Sequence, residues 1–226
     1  IQLEMPGVIL LINDLHKAAA EAIAKRVITE RAKMPKSYKF ILGITGESGS
    51  GKAEVAHSIA LELKKEHIRV KVLRTDNYYI VPPLLLTEWR KTKGIESVGI
   101  NEYDWNLLSR NIQDFKEERE SMLPWVDAVP EQVDKLITDF KKVDLLIVSG
   151  LYAIKADGVD LRVFIELNYH EIQMAKNKEA KAPADEFKMK VYEKEHLNVL
   201  SLKPLSALII NKGYQVFVAK TGESIM

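Results

Sequence analysis

Gly46-Glu47-Ser48-Gly49-Ser50-Gly51-Lys52-Ala53 is the stretch whose reading decides the fold. An apolar run, Phe40-Ile41-Leu42-Gly43-Ile44-Thr45, leads into it, and a helical pattern of Val55, Ala56, Ile59, Ala60 and Leu63 leads out. Strand, glycine loop and helix in that order turn the spacing GxxxxGK into a phosphate-binding expectation. Glycines let the backbone curl so that several N–H groups converge on one anion-sized nest. The helix N-terminus adds partial positive charge, and Lys52 would reach the outer phosphates. The bland alternative is a glycine-rich turn with a chance lysine, and the two correct flanks weigh against it. One letter departs from the pattern. The lysine is ordinarily followed by Ser or Thr, whose hydroxyl holds magnesium, and here Ala53 follows it.

Around this loop the composition sets bounds. A chain of 226 residues with 46% hydrophobic content has room for one α/β domain and a small appendage. The 33 basic and 32 acidic residues leave a net charge of +1, which gives no reason to invoke nucleic acid or an anionic membrane as a partner. Without cysteine there is no disulfide framework, thiolate metal site or thiol catalysis. The apolar run Val8 to Ile12 is too short for a signal-peptide core or a membrane span, so the expected compartment is the cytoplasm. Ile1 in place of a start methionine reads as a trimmed or tagged beginning.

Asn13 or Asp14 can cap a helix that Pro35 ends near Met34, with Leu15, Ala19, Ala22, Ile23 and Val27 on one face and Glu21 and Lys25 paired on the other. This gives an N-terminal helical extension over 1–36, packed on a main domain over 37–226. The alternating run Ile68 to Leu73 is the second strand. Asp76 lies just past its C-terminal end, where open α/β sheets place their ligands. Val81 to Gly99, with Pro82-Pro83, reads as irregular cover for the mouth of the site. Asp104 caps a helix through Leu107, Leu108, Ile112 and Phe115, and Trp125–Val129 with Val133–Thr138 forms a small hairpin. Asp144 to Gly150 is a fully buried strand, Leu161 to Leu167 another, and a basic stretch with Lys176, Lys178 and Lys181 follows. Pro183 opens a helix carrying Phe187, Val191, His196 and Val199, before strands at Ala207–Ile210 and, on an edge, Tyr214–Val218. The alternation predicts a doubly wound, mostly parallel α/β sheet with helices on both faces. The five histidines have no metal-ligand spacing and read as surface or packing residues.

Taken together, these segments resemble the uridine kinase and phosphoribulokinase family of P-loop kinases. ITGESGSGK is similar to its phosphate loop, TDNYY to the acidic-aromatic motif after its second strand, LLIVSGLYAI to its third-strand segment, and LRVFIEL with the basic stretch to its fourth strand and lid. The likeness runs from about Tyr38 to Lys212. It implies a kinase that moves the γ-phosphate of ATP to a hydroxyl of a nucleoside or other small molecule. Gly46, Glu47, Ser48, Gly49, Ser50, Gly51, Lys52 and Ala53 would cradle the nucleotide, joined by Lys176 and Lys178 from a lid at about 170–183. Lys52 and Asp76 would be catalytic, Asp76 as the base and as a magnesium neighbour. Tyr78, Tyr103 and Asp104 would face the substrate. A homo-oligomer is left open.

The departures matter as much. By the resemblance, magnesium is held by the loop hydroxyl, the aspartate after the second strand and a glutamate ending the third. This chain keeps Asp76 and has Ala53 and Ser149 at the other positions, so the ion is expected to be weakly held. Val126 and Glu131 stand near an expected tyrosine and histidine of the nucleoside site. Two rivals to an active kinase follow: a catalytically degenerate nucleotide-binding module, and a GTPase, for which Asn211-Lys212 supplies only the first letters of a base-reading motif.

Overall fold

The computed structural model describes residues 2–5, 8–126, 133–172 and 185–226. A short antiparallel hairpin, β1 (Gln2–Met5) and β2 (Val8–Leu11), precedes helix α1 (Asp14–Ala32). Strand β3 (Phe40–Thr45), helix α2 (Lys52–Lys65) and strand β4 (Val70–Arg74) follow. Helices α3 (Pro83–Lys93) and α4 (Trp105–Lys116) lead to the antiparallel hairpin β5 (Glu120–Val126) and β6 (Val133–Asp139). Then come β7 (Leu145–Gly150), β8 (Leu161–Ile165), α5 (Glu186–Leu200), β9 (Leu208–Ile210) and β10 (Val216–Val218). The main sheet runs in the order β10-β9-β8-β3-β7-β4, parallel throughout except for the β10 edge.

Every residue of β3 and β7 is buried, as a parallel strand covered on both faces requires. Alternate residues divide two cores. Phe40, Leu42 and Ile44 pack with α1 and α2, whereas Ile41, Leu146 and Val148 pack beneath α4. A third cluster joins Tyr103, Tyr152 and Phe164 to Val199 of α5. The helix over α1 forms as its sequence signals: the Asn13 side chain accepts the His16 N–H at 2.9 Å, and the Asn13 N–H reaches His16 Nδ1 at 3.2 Å, closing a capping box. Ala19, Ile23 and Val27 enter the same core as β3, Lys25 meets Glu21 at 2.9 Å, and Leu15 stays exposed.

Two expectations change. The stretch Val81 to Gly99 is not irregular: Pro83 sits in the first turn of α3, and Gly94 at φ +86° ends it. Its one buried residue is Arg90, while Leu84 and Leu85 face solvent, so the helix carries no apolar period to read. The N-terminal hairpin was also not anticipated. The β5–β6 hairpin is present, its strand partners running from Glu120 with Asp139 to Val126 with Val133; Asp127, Ala128, Val129 and Glu131 lie outside the described residues. Among the described residues no helix is long and apolar enough to cross a membrane.

Strand register positions the site. Thr45 pairs with Gly150, and Arg74 with Ser149, so β3, β7 and β4 end at one edge. The turn Thr75–Tyr78 starts there and lies directly on Gly150, where an added Cβ would meet Thr75 Oγ1 at 1.6 Å and Thr75 Cβ at 2.8 Å. Gly150→Ala is therefore expected to displace this turn and cost about 1–3 kcal/mol, as overpacking does. Thermal melting checks it: Thr75→Ala in the same chain should return part of the loss, and an unchanged melting temperature for Gly150→Ala would show that the turn yields freely.

Candidate phosphate-loop site

The phosphate loop joins β3 to α2, and two of its glycines, Gly49 at φ +82° and Gly51 at φ +84°, take the left-handed backbone that lets it curl. At Gly51 a side chain has no room either, because a Cβ would come within 2.4 Å of the Tyr214 hydroxyl and 2.8 Å of His16 Nε2. Tyr214 donates its hydroxyl to the Ser50 carbonyl at 2.7 Å, so the β10 side of the sheet braces the loop from behind. The Ser50 hydroxyl is fully buried with no hydrogen-bond partner among the described residues. Lys52 opens α2, and its ammonium donates to the Glu47 carbonyl at 3.2 Å. Burial pulls its pKa below the ordinary lysine value, and the Asp76 carboxylate opposes that shift.

Glu47 is the loop residue whose role the sequence did not disclose. It is buried, accepts the Tyr169 backbone N–H at 2.6 Å through one oxygen, and meets His196 Nδ1 of α5 at 2.5 Å through the other. His196 was expected merely to pack. Lys176, Lys178 and Lys181 of the expected lid lie outside the described residues, as does Pro183.

Asp76 stands on the turn after β4, half-exposed, and accepts from Arg74 Nη2 at 3.1 Å. The two adjacent tyrosines part company. Tyr78 is 2% exposed and donates its hydroxyl to Asn111 of α4 at 2.9 Å, which puts it in the core beneath α4. Tyr79 instead stacks on Tyr103 with ring centroids 4.4 Å apart and accepts the Tyr103 hydroxyl at 2.7 Å. Burial drives the pKa of both phenols well above the ordinary tyrosine value. Asp104 caps α4 by accepting the Leu107 N–H at 2.9 Å, and its own N–H donates to the Tyr78 carbonyl at 2.7 Å. The 100–104 segment is thus stitched to the turn that carries Asp76.

Beside the loop lies a cavity of about 330 Å³ lined by Ser48, Tyr79, Arg90, Lys188, Tyr192 and Glu195. Its floor is a buried charge cluster that sequence reading missed. Arg90 Nε and Nη2 donate to the two Glu102 oxygens at 2.5 and 3.0 Å, and Nη2 also reaches Glu195 at 3.1 Å. Two carboxylates thus share one guanidinium. Burial pushes Glu195 up to about 7, with Arg90 opposing and Glu102 adding to the rise. The sequence signal for Arg90 was the Pro83-to-Gly94 bracket of a helix; for Glu195, distant in the chain, there was none.

The donors around Asp76 do not fit a hydrated divalent cation. Ala53 offers a methyl group, and Ser149 is 4% exposed within β7. These two, with Arg74, Val72, Ala56 and His57, wall a cavity of about 30 Å³ whose surface is almost wholly apolar. Magnesium requires six oxygens in a tight octahedron and sheds its waters reluctantly, and a guanidinium already faces Asp76. Elsewhere, among the described residues no group of three or more His, Cys, Asp or Glu could hold a metal. Asn211 accepts from Gly213 and Gln215 N–H groups, both at 2.9 Å, and Lys212 pairs with Glu171, so that segment makes a turn after β9.

Comparison with known proteins agrees with this architecture. The family model for the phosphoribulokinase / uridine kinase family matches residues 41–182. A uridine kinase of Ureaplasma parvum serovar 3 is 32% identical over 128 residues, which cover 54% of this chain and 60% of that protein. The match therefore spans less than two thirds of that relative. Among solved structures, a possible uridine kinase from Bacillus stearothermophilus superposes with a TM-score of 0.63 at 16% identity, over 85% of this chain and 97% of the other. The D-glycerate 3-kinase of Cryptococcus neoformans gives a TM-score of 0.61 at 11% identity, over 94% of this chain and 99% of the other, and at such identity the likeness is one of fold. A phosphate loop at the end of the buried parallel strand β3, an aspartate turn at the end of β4 on the far side of β7, and a family model spanning both place the chain in the phosphoribulokinase / uridine kinase family of kinases.

Proposed function

We propose that this protein binds ATP on the Gly46–Ala53 loop and transfers its γ-phosphate to a hydroxyl of a small molecule, with a nucleoside as the first candidate. The observation that carries the reading is the common edge: loop, Lys52 and Asp76 all lie at the C-terminal ends of β3 and β4. Membership of a kinase family implies ATP and magnesium as general cofactors. Backbone N–H groups and Lys52 would hold the phosphates, and Asp76 would accept the proton of the attacking hydroxyl. Phosphoryl transfer asks for this alignment, cation clamping and a placed base. The acceptor would occupy the 330 Å³ cavity, where Tyr79, Arg90 and Glu195 offer hydrogen bonds to a polyhydroxylated molecule.

The rival reading is a nucleotide-binding module without turnover, and the observation in its favour is the poor magnesium donor set at Ala53 and Ser149. Calorimetry and a turnover assay on a panel of nucleosides and sugars separate the two. Lys52→Ala should weaken ATP binding by about tenfold or more; unchanged affinity would reduce the loop to a structural turn. Where turnover is seen, Asp76→Asn should lower it by about 10²–10⁴, the usual worth of a general base. A loss below about threefold would assign the proton to another group. Binding without turnover across the panel would favour the module.

The cavity floor adds a pH signature. The folded-state pKa of Glu195, at about 7, lies above the usual 4.5, so its stabilising contribution is full below about 4.5 and is lost as pH rises through 7. Glu195→Gln holds the neutral form at every pH. The unmodified protein should lose melting temperature relative to this variant between about pH 5 and about pH 8. Parallel melting curves for the two would show that Glu195 stays ionised in the fold.

A further inference from the structure

We infer that Arg74 is the resident cation of the nucleotide site, standing in for the divalent ion, so that the chain binds nucleoside triphosphate in its metal-free form. The inference rests on the ATP-binding reading and adds to it the ionic form of the ligand and the residue that selects it. Arg74 ends β4 directly opposite Ser149 of β7, and its side chain shares one small cavity wall with Ser149 and with Ala53 at the start of α2. Its Nη2 donates to Asp76 at 3.1 Å. The Arg74 side chain therefore lies among the three positions, Ala53, Asp76 and Ser149, where the family resemblance seats magnesium, with its guanidinium on Asp76. The charges of both Asp76 and Arg74 act on the Lys52 ammonium, in opposite directions.

The charges make the substitution coherent. Mg²⁺ supplies two positive charges and is held by oxygens. This site offers a methyl group and a buried serine hydroxyl where the resemblance places a hydroxyl and a carboxylate, and it carries a fixed positive charge at Arg74. A second cation placed beside that guanidinium would be repelled, and the one carboxylate available to it is already paired. A guanidinium carries five donors, and among the described residues Arg74 commits one hydrogen bond, to Asp76. The rest of its planar fork suits phosphate oxygens, which it meets in pairs without shedding a tight water shell. Arg74 also neutralises Asp76, so that a polyphosphate approaching the loop meets less repulsion.

The experiment is calorimetric titration of ATP into the full chain, once in EDTA and once in magnesium chloride. The unmodified protein should bind in both, with affinities within about threefold of each other. Arg74→Gln should lower the affinity in EDTA by about ten- to a hundredfold, the worth of one charge-assisted hydrogen bond. It should also make binding magnesium-dependent, because Asp76 is then free to hold an ion. Arg74→Lys, which keeps the charge and loses the fork, should retain metal-free binding with a smaller loss. Binding by the unmodified protein only in magnesium would overturn the inference while leaving the ATP-binding reading intact. So would an Arg74→Gln chain that melts normally and binds equally well in EDTA. Failure to bind ATP in either buffer would instead remove the ATP-binding reading, and this inference with it. Were Arg74→Gln to unfold, the two buffers applied to the unmodified chain and to Arg74→Lys would still decide.

Discussion

Register in the parallel sheet is the constraint on which everything else depends. Ile44 lies opposite Ser149, and Ser149 opposite Arg74, so β3, β7 and β4 release their following loops at one level. The alternation along β3 fixes that alignment. Phe40, Leu42 and Ile44 fill one core and Ile41 the other, so a slip of one residue would exchange the faces of a strand buried on both sides. The hydrophobic cost of such a slip is large compared with any single contact in the site, because several fully buried side chains, each worth about 1.5–3 kcal/mol, would lose their places together. The packing of apolar side chains thus brings Lys52, Arg74 and Asp76 to the same edge of the sheet. Gly150 adds the last adjustment, since it alone gives the Thr75 side chain room against β7.

The polar half of the molecule is held by hydrogen bonds that cross long distances in the chain. Glu102 fixes the Gly99 N–H at 2.9 Å and grips Arg90 with both oxygens, while Arg90 reaches Glu195 of α5. That triad ties α3, the 100–104 segment and α5 into one wall of the cavity. Burial is what raises Glu195 there, with Arg90 opposing the rise and the second carboxylate, Glu102, adding to it. Across the cavity the Tyr79–Tyr103 stack stays neutral at any physiological pH, so this wall offers hydrogen bonds without further charge.

What the sequence made legible was local. The phosphate loop lies within eight consecutive residues, and β3 and β7 announce themselves as unbroken apolar runs because both their faces are buried. Asp76 could be placed because it directly follows a strand of plain β pattern. Helix α3 was illegible for the opposite reason: it turns leucines to solvent and buries an arginine, which inverts the usual signal. The pairing of Arg90 with Glu195 and of Glu47 with His196 depends on residues that only folding brings together, and nothing in spacing or composition marks them. Of the two adjacent tyrosines the resemblance pointed to Tyr78 for the substrate, but the turn sends the Tyr78 hydroxyl into the core and leaves Tyr79, bonded to Tyr103, to line the cavity. Arg74 passed unnoticed for a related reason. At the end of a strand it reads as an ordinary exposed terminus, and it becomes informative only with Ala53, Asp76 and Ser149 around it.

Glu47 poses the sharpest physical question in the loop, because a buried carboxylate stands within a structure built to receive anions. An unpaired charge there would cost several kcal/mol and would repel phosphate as well. The structure offsets that cost by giving each oxygen its own donor: the Tyr169 N–H on one, the His196 ring on the other. Those donors come from either side of the 170–183 stretch, one just before it and one from α5 after it. The carboxylate is therefore hydrogen-bonded from outside the loop rather than by the loop's own N–H groups. The same two bonds anchor both approaches to that stretch on the phosphate loop. Loss of the Glu47 side chain would remove both bonds together, and with them this tie between the phosphate loop and α5.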